Sequence, residues 1–187
     1  MTYAFIGLGN MAGAILRGMV QSGRYKDDTL MGFEPDPSRA NALRDEAGVV
    51  LTQSAADAAR QGDTVVLAVK PQVMPDVLKE IAPALKPGTL VITIAAGLPL
   101  SLYAQALGGQ VPVVRVLPSI NARVLSACSA LCPGPGVSEQ QLALAQSMFE
   151  SVGTVHRVTE PQLRPFTALA GAAPAFLFQF VDALASS

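Results

Sequence analysis

The stretch Tyr3 to Ile15 constrains this chain more than any other, because it joins an apolar run to a glycine turn and then to a helical pattern. Ala4 to Ile6 suit a buried strand, and Met11, Ala14, Ile15, Gly18 and Met19 recur at helical spacing on one face. Gly7-Leu8-Gly9-Asn10-Met11-Ala12 forms the joint. A helix start carries unpaired backbone N–H groups and a positive dipole end, so a tight glycine turn there lets a pyrophosphate approach the backbone. Ala12 stands where a third glycine is common, and a small residue suffices where helix packs on strand. Plain tight packing gives the same spacing, so the motif needs support from the rest of the chain.

That support comes in order. Ser22-Gly23 closes the first helix, and Thr29 to Phe33 reads as a second strand ending at Glu34. Glu34 falls about 20 residues beyond the turn, where an acid at the end of the second strand accepts hydrogen bonds from the adenosine ribose. Such a carboxylate repels a 2′-phosphate and favours NAD over NADP, although Arg39 could still serve a phosphate, so the cofactor is expected to be NAD or NADP. The competing reading makes Glu34 a helix-start acid before Pro35 and Pro37. A polar helix over Ser38 to Glu46, a short strand over Val49 to Leu51 and a helix capped by Ser54 follow.

Val65 to Val69 is apolar without alternation, as in a parallel strand covered on both faces, and it stops at Lys70-Pro71. Ligands of open α/β sheets bind beyond the carboxyl ends of strands, which places Lys70 beside a cofactor, the competing reading being a solvated loop charge. A helix from Gln72 leads to a strand over Thr89 to Ile94 ending in Ala95-Ala96-Gly97, whose small side chains leave room for a flat ring. Pro99 opens the next helix, and a strand over Val113 to Leu117 ends at Pro118-Ser119-Ile120-Asn121. Leu125 to Leu131 suits a further strand, Ser138 caps a helix to Ser151, and Gly153 to Val158 suits a last strand. This alternation predicts a Rossmann-type, doubly wound, mostly parallel sheet over residues 1–158.

From Thr159 the texture changes. Apolar residues cover most faces of a helical pattern from Phe166 to Leu184, interrupted by Pro174, which should kink the helix or begin a new one. Such a surface must be buried, so residues 159–187 are expected to start an all-helical domain that builds a homodimer or higher homo-oligomer.

Charged residues make up 14% of the chain and the formal net charge is −1, which gives no electrostatic case for nucleic acid or an anionic membrane. No uninterrupted apolar run approaches the ~18 residues of a spanning helix, and the N-terminus lacks a signal-peptide pattern, so a soluble cytoplasmic protein is expected. Cys128 and Cys132 are too few for a disulfide framework, and with a single histidine, His156, in a strand at the sheet edge, no zinc site is expected.

Taken together, Gly7-Leu8-Gly9-Asn10-Met11-Ala12, Ala68-Val69-Lys70-Pro71-Gln72, Ile94-Ala95-Ala96-Gly97 and Gly171-Ala172-Ala173-Pro174-Ala175-Phe176 resemble the pyrroline-5-carboxylate reductase family, in order over nearly the whole chain. The resemblance implies hydride transfer from NADH or NADPH to the C=N bond of 1-pyrroline-5-carboxylate, giving proline. It implies that Gly7, Leu8, Gly9, Asn10, Met11 and Ala12 hold the pyrophosphate. It sets Ala68 to Pro71 on one side of the nicotinamide, Ala95, Ala96 and Gly97 opposite, and Pro118 and Ser119 alongside. No catalytic side chain is assigned, because an iminium carbon is already electrophilic.

Two motifs depart from the family. Its Arg-x-Met-Pro-Asn-Thr-Pro stands here as Arg115-Val116-Leu117-Pro118-Ser119-Ile120-Asn121, and its Ser-Gly-Ser-Gly-Pro-Ala-Tyr as Ala170-Gly171-Ala172-Ala173-Pro174-Ala175-Phe176. Both changes strip polar groups from the substrate side. Family members also continue into helices that form the dimer and supply a Gly-Thr-Thr segment for the substrate carboxylate. The cofactor half is therefore expected intact and the substrate half altered. A same-fold oxidoreductase with another small substrate, or a dinucleotide-binding module without catalysis, are the alternatives.

Overall fold

Continuous apolar strands need cover on both faces, and the computed structural model, which describes residues 1–186, supplies it. The strands are β1 (Thr2–Ile6), β2 (Thr29–Phe33), β3 (Val50–Leu51), β4 (Thr64–Leu67), β5 (Leu90–Thr93), β6 (Val113–Pro118), β7 (Ala127–Pro133) and β8 (Gly153–Arg157). They form one sheet in the order β3-β2-β1-β4-β5-β6-β7-β8. Between them run α1 (Asn10–Ser22), α2 (Pro37–Ala47), α3 (Ala55–Gln61), α4 (Met74–Ile81), α5 (Leu100–Ala106) and α6 (Glu139–Glu150).

Successive strand residues point to opposite faces, so each strand feeds two cores. Tyr3, Phe5, Val66, Ile92, Val114 and Val116 pack against Ile15 and Leu16 of α1, Leu43 of α2 and Phe149 of α6. Their neighbours Ala4, Ile6, Val65, Leu67, Val91 and Val113 pack against Ala58 of α3, Met74 and Leu78 of α4 and Tyr103 of α5. This is the doubly wound arrangement, with helices on both faces of a mostly parallel sheet.

Local chemistry sets the helix ends. Gly23 closes α1 in the left-handed region at φ 68°. Asp36, rather than Glu34, caps α2 by accepting from the Ser38 amide at 2.9 Å. Ser54 caps α3, and Ser138 with Gln141 forms a reciprocal capping box on α6. Strand β7 lies two residues later than the expected Leu125–Leu131 and runs antiparallel to β6, pairing Cys132 with Arg115. The physical reason is length. A parallel crossover needs a dozen or more residues, and β6 and β7 are joined only through a short 3₁₀ turn at Ile120–Val124.

After β8 the chain forms α7 (Glu160–Phe166), a π-helical stretch at Thr167–Ala172 and α8 (Ala173–Ala185). Pro174 lies in the first turn of α8. A proline inside a regular helix clashes with the carbonyl four residues back, and the wider π turns directly before it relieve that clash. Here the apolar side chains lie open: Leu169 is 73% exposed, Phe176 70% and Phe178 68%. By length and composition the 26-residue helix Glu160–Ala185 is apolar enough to cross a membrane, and none of its apolar window is buried against the rest of the chain.

Candidate functional site

Strand order reverses at β1, since β2 lies on one side of it and β4 on the other. The crevice beyond the carboxyl ends at such a reversal is where open α/β sheets bind ligands. The residues singled out from the sequence gather there, and Gly7 and Gly9 have different physical reasons to be glycine. Gly7 has φ +90°, and a Cβ on it would stand 2.8 Å from the Ala68 carbonyl oxygen. The close packing of the β1–α1 turn on the end of β4 requires it. Gly9 has φ −74° and a Cβ there would meet no atom within 4 Å. Nothing in the protein demands a glycine at that point; it leaves the space before α1 clear.

Unlike α2, α3 and α6, helix α1 has no side-chain cap, and no acid lies in its first turn. Its positive end is therefore left uncompensated by the protein, as an anion-binding helix start requires. Glu34 braces the turn from the side: its Oε2 accepts the Leu8 amide at 2.9 Å and its Oε1 the Asp36 amide at 3.2 Å. The carboxylate thus ties the glycine turn to the end of β2, a duty the sequence reading did not foresee. Each oxygen keeps lone-pair capacity beyond these bonds.

Two clefts meet over the strand ends. The first, about 620 Å³, is lined by Gly7, Leu8, Gly9, Asn10, Met11, Glu34, Ala68, Val69 and Lys70. Arg17 and Arg39 also line it, paired with Glu46 at 2.8 Å and Asp36 at 3.3 Å. Arg17 was not anticipated, although it lies one helical turn beyond Gly13 and so on the same face. The second cleft, about 350 Å³, shares Met11, Ala68, Val69 and Lys70 with the first and adds Pro71, Ala95, Ala96 and Pro118. The C-terminal helix adds Phe166, Thr167, Ala170 and Gly171 to its lining; the family motif sets Ala170 and Gly171 on the substrate side, whereas Phe166 and Thr167 carry no such signal.

Three expected site residues do not themselves line either of these clefts. Ala12 is 1% exposed and packs in the core behind the turn. Ser119 is buried, and its hydroxyl accepts the Cys128 amide at 3.1 Å, which fixes the start of β7. Gly97 opens onto a neighbouring cleft of about 720 Å³ with Arg115, Glu160, Arg164 and Thr167. In that cleft Arg115 Nη1 donates to Glu160 Oε1 at 2.6 Å, and the same oxygen accepts the Leu100 amide at 2.7 Å. The start of α7 is thereby clamped to β6 and α5, which holds Phe166 and Thr167 over the second cleft.

Burial pushes the Cys132 thiol and the Tyr103 phenol up, the latter against its hydrogen bond with Thr93. His156 is exposed on the edge strand β8. Among the described residues no group of three or more His, Cys, Asp or Glu side chains is placed to hold a metal.

Known proteins resemble this chain in sequence and in fold. Residues 2–97 match the family model described as NADP oxidoreductase, coenzyme F420-dependent. The pyrroline-5-carboxylate reductase of Escherichia coli K12 is 34% identical over 183 residues, an overlap of 98% of this chain and 68% of the relative. A solved pyrroline-5-carboxylate reductase from Coxiella burnetii superposes with a TM-score of 0.91 at 32% identity, covering 97% of this chain and 68% of that one. The Plasmodium falciparum enzyme, solved with NADP bound, gives a TM-score of 0.86 at 25% identity over 98% of this chain and 67% of its own. Sequence, fold and the order of the motifs agree: the chain belongs to the pyrroline-5-carboxylate reductase family.

Proposed function

We propose that the protein is an NAD(P)H-dependent oxidoreductase that reduces the C=N bond of 1-pyrroline-5-carboxylate to give proline. The observation that carries this reading is the continuity of the two clefts through Met11, Ala68, Val69 and Lys70. A dinucleotide laid across the strand reversal would have its pyrophosphate over Gly7, Leu8, Gly9, Asn10 and Met11, with Ala12 supporting the turn from behind. Its nicotinamide would enter the narrower, mostly apolar cleft between Ala68–Pro71 and Ala95–Ala96, with Gly97, Pro118 and Ser119 forming the surrounding backbone. Glu34 offers its remaining lone pairs to the adenosine ribose, and Arg17 and Arg39 offer charge to a 2′-phosphate, so the cofactor is NAD or NADP.

A bound reduced nicotinamide supplies a hydride to the substrate carbon. The protein contributes position and a dry surface, and alignment of this kind is worth roughly 7–11 kcal/mol in the best cases. Residues 1–158 form the cofactor-binding domain in this reading. Residues 159–187 begin a helical domain whose open apolar face pairs with a second copy in a homodimer or larger homo-oligomer. We place the protein in the cytoplasm and read the 160–185 helix as an interface element, because Glu160 at its start is held in the clamp with Arg115.

Binding to the folded state alone raises stability by mass action, about 2.7 kcal/mol at a hundredfold excess over Kd. NADH or NADPH should therefore raise the melting temperature by several degrees, and 1-pyrroline-5-carboxylate should drive oxidation of the bound cofactor. No shift with either dinucleotide would sink the reading. A shift with turnover of other imines or keto compounds only would favour the same-fold oxidoreductase with a different substrate.

A further inference from the structure

Resting on the reductase reading above, we propose that Arg115 and Glu160 are positioning residues for hydride transfer, their bond fixing two parts of the nicotinamide cleft's lining against each other. One part is the end of β6, where Leu117 and Pro118 line the 350 Å³ cleft. The other is the C-terminal helix, through Phe166, Thr167, Ala170 and Gly171. Arg115 lies on β6 two residues before Leu117, and Glu160 is the first residue of α7, the helix that carries Phe166. The 2.6 Å bond from Arg115 Nη1 to Glu160 Oε1 therefore ties one part to the other. The Leu100 amide, donating to the same oxygen at 2.7 Å, brings the start of α5 into the joint. Neither Arg115 nor Glu160 lines the 350 Å³ cleft, so they act on it through the elements they join.

Stability alone is a poor account of this pair. Arg115 is 6% exposed, and among the described residues its buried Nε has no hydrogen-bond partner. Taking a cation out of water offsets much of what an ion pair returns, and apolar residues of similar volume often serve the fold as well. What the pair adds is direction, because a guanidinium is a rigid planar fork that meets a carboxylate in few geometries.

The helix it holds needs that direction. Leu163 of α7 is buried with Leu117, Ala130 and Cys132, and apolar contact of this kind is non-directional. Further along, Leu169, Phe176 and Phe178 are exposed. With the apolar contact alone, α7 is free to shift about Leu163 and to carry Phe166 with it. A displacement of about 1 Å at reacting groups can cost on the order of a hundredfold in rate.

The test uses the full chain and three variants. Glu160→Ala removes the joint. Arg115→Met combined with Glu160→Gln removes the bond between β6 and α7, keeps an acceptor for the Leu100 amide and leaves no buried charge unpaired. Glu160→Gln alone keeps an oxygen able to accept both bonds. Urea melts, kcat and KM for 1-pyrroline-5-carboxylate, and two affinities are measured for each: for the reduced dinucleotide that the parent binds more tightly, and for the same molecule without its nicotinamide, ADP-ribose or its 2′-phosphate. In E160A and in the double variant kcat should fall roughly ten- to hundredfold. Affinity for the fragment, which occupies only the first cleft, should stay within about twofold of the parent. E160Q should turn over within about threefold of the parent. A folded double variant with the parent's kcat overturns the proposal, as does E160Q falling as far as the double variant. Fragment affinity falling in step with kcat marks general loosening and also overturns it, and so does failure of both E160A and the double variant to fold. If the parent reduces no cyclic imine, the reductase reading fails while the pair is judged on the ratio of dinucleotide to fragment affinity. A lower ratio in the double variant but not in E160Q then supports the positioning role, and an unchanged ratio, or no dinucleotide binding by the parent, overturns it.

Discussion

The sheet body and the C-terminal helix both carry large apolar side chains, and these end in opposite states. In the body, Phe5 and Phe149 are 0% exposed between sheet and helices. In the helix, Phe176 and Phe178 stand 70% and 68% exposed. The body closes because each central strand alternates its side chains between two helical layers, so its apolar residues find cover on both faces of the sheet. Among the described residues the helix packs on the body through Phe166, Leu163 and the clamp at Glu160, while Phe176, Phe178 and Phe180 stay exposed. Apolarity therefore reports a need for burial, and only topology says where the partner surface comes from.

The strongest way to break this comparison is to truncate matched residues. Phe149→Ala should cost about 3–5 kcal/mol by opening a cavity in the body, read from urea melts. Phe176→Ala should leave the melt of dilute protein within about 0.5 kcal/mol and lower the average mass seen by analytical ultracentrifugation. A parent chain that sediments as a monomer at every concentration would contradict the proposed interface.

Within the body, the two glycines of the first turn sharpen the comparison between residues the fold needs and residues it leaves for something else. Gly7→Ala puts a Cβ against the Ala68 carbonyl at a positive φ, so a loss of roughly 1–3 kcal/mol is expected together with loss of dinucleotide binding. Gly9→Ala meets no protein atom, so its melt should match the parent within about 0.5 kcal/mol while the thermal shift with NADPH disappears. A persistent NADPH shift in the second variant would remove the pyrophosphate from Gly9.

The smallest effect lies at the opposite end of the sheet. The Thr2 amide at 2.8 Å, and then the Lys86 ammonium, hold the Asp63 carboxyl below its ordinary value of 3.8. A lowered folded-state value means that its contribution is present above that ordinary value and is lost as pH falls through the folded one. Asp63 is largely exposed, so the contribution is below about 1 kcal/mol. Asp63→Asn should melt slightly below the parent at pH 7, and the two curves should converge in acid.

Much of the body was legible because its signals are local: apolar runs bounded by glycine and proline, capping residues, and the glycine turn. What escaped depended on contacts distant in sequence. Strand periodicity carries no direction, so the antiparallel β7 emerged only from the shortness of its connection. Glu34 could be placed near a ribose by spacing, yet its bond to the Leu8 amide requires β2 to lie beside β1. Ala95, Ala96 and Gly97 read as one platform, whereas the chain turns between them and gives Gly97 to another cavity. The Arg115–Glu160 clamp joins residues 45 apart, with no local pattern to announce it.

The π stretch at Thr167–Ala172 also acts as a phase shifter. A regular helix advances about 100° per residue, so one extra residue per turn rotates everything downstream relative to everything upstream. Phe166 and Ala170 can then face the cleft while the apolar side chains beyond Pro174 are indexed to another direction. One continuous rod thereby addresses two surfaces without a loop between them.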